Sequence, residues 1–73
     1  MTALHVFYPG EPREEIDDLL FALPEWYASG YNYESGERDI ALDFEERTRQ
    51  AELLAEFLTE RITDVRVVLC NAA

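Results

Sequence analysis

The chain of 73 residues has no lysine, one cysteine, one histidine and one tryptophan. A lone Cys70 excludes an internal disulfide and a Cys-X-X-Cys redox pair, and with His5 as its only companion no multi-ligand Cys/His zinc site can be built. All cations are arginine, six of them, against 16 acids, for a formal charge of −10. That polarity repels DNA, RNA and anionic bilayers, so direct binding to nucleic acid or membrane is not expected. No run of about 20 apolar residues could cross a bilayer. Met1-Thr2-Ala3-Leu4 lacks the basic opening of a secretory leader. The expected setting is a reducing cytoplasm.

The motifs of common chemistry are also missing. Neither GxxxxGK[ST] nor GxGxxG occurs, so no cofactor is implied. Residues 34–39 (ESGERD) imitate a calcium loop only poorly, with Arg38 among the would-be ligands, and no metal is expected. His5 and Cys70 are the conventional candidates for a base and a nucleophile, yet nothing near them in sequence supplies an orienting group or an oxyanion hole. With 16 acids, some carboxylate pair always falls at a glycosidase spacing, which makes such a pair uninformative.

What is present is apolar patterning. Hydrophobic residues make up 48% of the chain, too many for a disordered segment, and the length suits a single domain over 1–73. A domain this small buries only about 60% of its unfolded surface, so modest stability is expected and dimerisation is a route to more burial. Residues 3–8 (ALHVFY) read as a central strand ended by Pro9-Gly10. Ile16, Leu19, Leu20 and Leu23 share one helical face, predicting a helix over 12–23 with Pro12 in its first turn and Pro24 as its stop. Residues 26–33 (WYASGYNY) read as a strand bulged at Gly30. Residues 34–37 form a turn. Residues 38–44 alternate, with Ile40, Leu42 and Phe44 on one side and Asp39, Ala41 and Asp43 on the other. Asp43 and Glu46 fit a capping box, predicting a second helix over 45–62. Residues 64–70 read as the last strand, and the tail 71–73 as loose.

The order β-α-β-β-α-β predicts a ferredoxin-like α+β fold: a four-stranded antiparallel sheet with two helices on one face. That fold hosts many unrelated functions and names none. In RNA-recognition domains its open face carries stacking aromatics, a place Phe7 and Tyr27, Tyr31 or Tyr33 would take here. Asp39 and Asp43 would share that face and repel phosphate.

Several acids suit helix starts: Glu11, Glu14 and Glu15 for the first helix, Glu45 and Glu46 for the second, with Glu45 and Arg49 a favourable i, i+4 pair. Others lack such a reason. Glu52, Glu56 and Glu60 form a stripe at i, i+4, i+8, opposite Leu54 and Leu58. Glu14 and Asp18 repeat the pattern on the first helix, with Asp17 beside them and Phe21 one turn on. Like charges at this spacing are mildly destabilising. Stripe carboxylates sit about 6 Å apart along a helix, a sparse copy of the phosphate rows of a duplex.

Glu14, Asp17, Asp18, Phe21, Glu52, Glu56 and Glu60 are therefore the candidate partner-binding residues. The partner would be a protein, specifically a basic nucleic-acid-binding protein or complex. The chain is similar to phage anti-CRISPR proteins in size, acidity and compactness, and carries no motif of a particular family. The competing reading is a dimerising regulatory or assembly domain whose acids serve solubility. Salt-adapted organisms also favour acidic surfaces, and a GC-rich genome favours arginine over lysine. A small enzyme built on His5, Cys70 or a carboxylate pair ranks last.

Overall fold

In a computed structural model that describes residues 1–71, the chain forms β1 (Thr2–Pro9), α1 (Glu14–Phe21), β2 (Trp26–Asn32), β3 (Glu37–Glu45), α2 (Thr48–Arg61) and β4 (Arg66–Asn71). One four-stranded sheet runs in the order β2-β3-β1-β4, and each neighbouring pair is antiparallel. The class is α+β, and the element order is that of the ferredoxin-like arrangement. Asn71, expected in a loose tail, pairs with Thr2 in β4; residues 72–73 lie outside the described residues.

Period-2 alternation explains the core. Leu4, Val6 and Tyr8 of β1 and Ile40, Leu42 and Phe44 of β3 point to one face and are buried. Ile16 and Leu20 of α1 and Ala51 and Leu58 of α2 complete the same cluster, with Val65 and Val67 packed against it. At about 25 cal/mol per Å², each fully buried Leu or Ile contributes roughly 1.5–3 kcal/mol.

The element ends differ from the sequence expectation for identifiable reasons. The first helix begins at Glu14, not Pro12, and its N-cap Arg13 receives no side-chain cap of its own. Instead the Arg13 N–H donates to the Tyr8 hydroxyl at 2.9 Å, so a sheet residue satisfies an N-terminal donor of α1. The helix ends at Phe21, two residues short of expectation. Asp43 does not cap α2. Its carboxylate accepts from the Glu45 N–H at 2.8 Å, and β3 continues to Glu45 because Thr2 of β1 still pairs there. Glu45 then turns the chain at φ 56°, and α2 starts only at Thr48, with no acid in its first turn. The supposed Glu45–Arg49 pair is thereby lost; Arg49 lies 3.9 Å from Glu52.

Tyr27, not Gly30, occupies the bulge of β2: the register shifts between Trp26 and Ala28 and is regular beyond. Last, Gly10 and Gly36, both at positive φ, are joined by a 2.9 Å N–H···O bond that ties the β1–α1 loop to the β2–β3 turn.

Candidate functional site

Five arginines form ion pairs: Arg13 with Glu15, Arg38 with Asp17, Arg47 with Glu25, Arg49 with Glu52 and Arg66 with Glu37. The sixth, Arg61, lies over the Phe57 ring at 5.4 Å. Only five of the 16 carboxylates have an arginine partner, which leaves eleven without an arginine ion pair among the described residues. The surface charge is therefore uncompensated as well as negative. Glu15 is a local exception: a bond to its own backbone N–H, and then the Arg13 guanidinium, hold its carboxyl below the usual range.

The candidate residues divide into two groups. Glu52, Glu56 and Glu60 are exposed along α2, while Leu58 is buried beneath. Exposed Leu53 and Phe57 adjoin this acidic row. On α1, Glu14 and Asp18 are exposed, as is Phe21.

Asp17 does not belong with them. It is buried, accepting the Tyr8 hydroxyl at 2.6 Å and the Arg38 guanidinium at 3.2 Å. Helical spacing alone placed it beside Asp18. The structure turns it toward β1 and β3, where it anchors α1 to the sheet, so its role is positional. Burial, and next the bond to Asp17, raise the Tyr8 phenol above its ordinary value.

Phe21 has a partner that helical spacing does not reveal. Its ring meets Trp26 at 5.1 Å between centroids, tilted by 53°, and the Arg38 guanidinium lies over it, 5.7 Å from the centroid. The contact depends on the turn at residues 22–25 folding β2 back against α1. Trp26 thus joins Phe21 in an exposed aromatic patch next to the acids of α1.

The opposite sheet face carries Ala3, His5 and Phe7 of β1, Asp39, Ala41 and Asp43 of β3, and Arg66, Val68 and Cys70 of β4, as the pairing requires. His5 and Phe7 stack with 6.3 Å between centroids, and Arg66 covers Phe7 at 4.2 Å. Of the tyrosines expected there, Tyr31 pairs with Arg38 and so shares the α1 side; Tyr33 follows the strand and meets Tyr31 edge-on at 5.0 Å. Cys70 pairs with Ala3 and His5 with Val68, one step apart on neighbouring strands. No group of three or more acidic, His or Cys side chains gathers as a metal site would among the described residues. No pocket opens there either, and no helix is long and apolar enough to cross a membrane.

Comparison with protein families, with curated proteins and with solved structures finds no match for this chain.

Proposed function

We propose that this chain is a small acidic, non-enzymatic inhibitor that binds a protein. It occupies the basic nucleic-acid-binding groove of a cytoplasmic partner, as phage anti-defence proteins of the anti-CRISPR kind do, and needs no cofactor. The scaffold is a ferredoxin-like domain that carries both helices on one sheet face. One observation supports the reading above the rest: all six arginines are engaged within the chain while, among the described residues, eleven carboxylates have no arginine partner. Glu14 and Asp18 on α1 and Glu52, Glu56 and Glu60 on α2 supply the anionic rows, and Phe21 with Trp26 supplies the apolar anchor. Attraction of this type is long-ranged, fast and salt-sensitive.

The test captures partners from the source organism on the immobilised protein, with washes at about 0.1 M and then about 1 M salt, between which screening lengths fall from roughly 10 to 3 Å. A basic nucleic-acid-binding complex that elutes at the second wash, and that duplex DNA displaces, supports the proposal. The triple variant Glu52→Arg, Glu56→Arg, Glu60→Arg should then lose binding and keep its circular dichroism spectrum. Retained binding by that variant, or a partner indifferent to salt, overturns it.

A second reading rests on the sheet face opposite the core, where half-buried His5 and Phe7 and exposed Val68 surround buried Ala3 and Ala41. Two copies could meet there as a dimerising regulatory domain, with the acids serving solubility. Sedimentation equilibrium decides: a mass that doubles with concentration favours this reading, and a constant 8.5 kDa rejects it.

A further inference from the structure

The free edge of β2 belongs to a different element from the acidic row of α2. The order β2-β3-β1-β4 leaves β2 hydrogen-bonded on one side only. Exposed edges are normally blunted by lysine, proline, inward charge or shortness, since unpaired N–H and C=O groups invite another strand. β2 has seven residues, WYASGYN, with no charge and no proline. Its one irregularity lies between Trp26 and Ala28, so residues 28–32 keep a regular register that can be copied. Six of its residues are exposed. The other edge strand, β4, is shorter, begins with Arg66 and packs against α2.

Charge and rings around this edge select the added strand. Exposed Asp18 lies on α1 one turn before Phe21, which touches Trp26; Glu34 follows the strand, and Asp39 pairs with Gly30. None of these three acids has an ion pair among the described residues. Elsewhere the chain sets guanidinium groups over aromatic rings, at Phe7, Phe21, Phe44 and Phe57. Among the described residues no guanidinium lies over Trp26, Tyr27, Tyr31 or Tyr33, and all four rings are exposed.

We infer that β2 accepts an extended polypeptide segment bearing lysine or arginine, added as a fifth strand. Main-chain hydrogen bonds supply the pairing, while the acids and tyrosine rings favour cationic side chains. A second copy of this chain is a poorer occupant, because it brings another −10 charge and arginines already engaged. The inference shares Asp18, Phe21 and Trp26 with the groove-binding proposal, but it rests on the unpaired main chain of β2, which that proposal does not use.

The probe is an eight-residue capped peptide of alternating valine and lysine, titrated into the isotope-labelled protein and followed by amide NMR. Shifts and slowed hydrogen exchange at residues 28–32 are expected. Tyr31→Ala with Tyr33→Ala should weaken binding about tenfold, the loss of two ring–cation contacts. Tyr33 is 91% exposed, so the fold should survive. Glu52→Gln, Glu56→Gln and Glu60→Gln together should change it less than twofold, which separates this inference from the groove proposal. Three results would overturn it: equal binding by the valine–glutamate peptide, equal binding by a peptide methylated on alternate amides, or shifts confined to α2. Shifts at residues 28–32 on raising the protein concentration alone would also overturn it, in favour of self-pairing.

Discussion

Replacing Tyr8 by Phe removes a single oxygen from the centre of the molecule. That hydroxyl donates to Asp17 at 2.6 Å and accepts from the Arg13 N–H at 2.9 Å, and Tyr8 is fully buried. A hydrogen bond to a charged group contributes about 1.5–3 kcal/mol and a neutral one about 1, while the variant recovers the cost of burying the hydroxyl. A net loss of about 2 kcal/mol follows, a large fraction of the roughly 4–11 kcal/mol usual for a domain of this length. Urea unfolding at neutral pH should show the midpoint falling by about 1–2 M with an unchanged slope. A double-mutant cycle with Asp17→Ala should show coupling of about 1 kcal/mol or more, because the two changes remove one shared bond. The same bond predicts a pH dependence. The Tyr8 phenol is raised above 10.0 in the folded state by burial and then by Asp17. The folded chain therefore holds that proton more tightly. This contribution is complete below about pH 10 and is lost as the pH rises through the folded value. Tyr8→Phe should lose that alkaline decline. A loss below about 0.5 kcal/mol, or an alkaline slope identical to that of the parent, would refute the claim that Tyr8 and Asp17 fasten α1 to the sheet.

Other outcomes are checked more simply. Gly30 lies in regular strand with nothing within 4 Å of an added Cβ, so Gly30→Ala should raise stability by about 0.5–1 kcal/mol in the same urea assay. Gly36 stands at φ 72°, where a Cβ is strained, so Gly36→Ala should lower it by about 1 kcal/mol. Leu58 is fully buried beneath the acidic row of α2, and Leu58→Ala should cost about 2–5 kcal/mol, read as a lower thermal midpoint. Because eleven carboxylates lack an arginine partner among the described residues, raising sodium chloride from about 0.01 to 0.5 M should raise the thermal midpoint through screening; a falling midpoint would contradict the self-repulsion.

The order of elements and most of the core are legible in local patterns of the chain. Alternation at Ile40, Leu42 and Phe44 and helical spacing at Ile16 and Leu20 are local signals, and all five side chains are buried where those periods require. Equally legible are the excess of acid and the outward row of Glu52, Glu56 and Glu60, since opposite faces of one helix are set by the same period. Features made by residues distant in the chain arise only on folding. Arg13 is capped by Tyr8, and β3 runs past Asp43 because Thr2 still pairs with Glu45. Asp17 turns inward because Tyr8 and Arg38 converge on it from two strands, although its spacing places it beside the solvent-facing Asp18. Trp26 meets Phe21 only because the chain turns over residues 22–25 before β2 begins. The unpaired edge of β2 follows the same logic: which strand is left at the border depends on the pairing of all four, and residues 26–32 carry no local mark of it. Periodicity reports which side of an element is apolar; the partner that a polar or edge group finds depends on chain closure over long separations, which a local pattern does not encode.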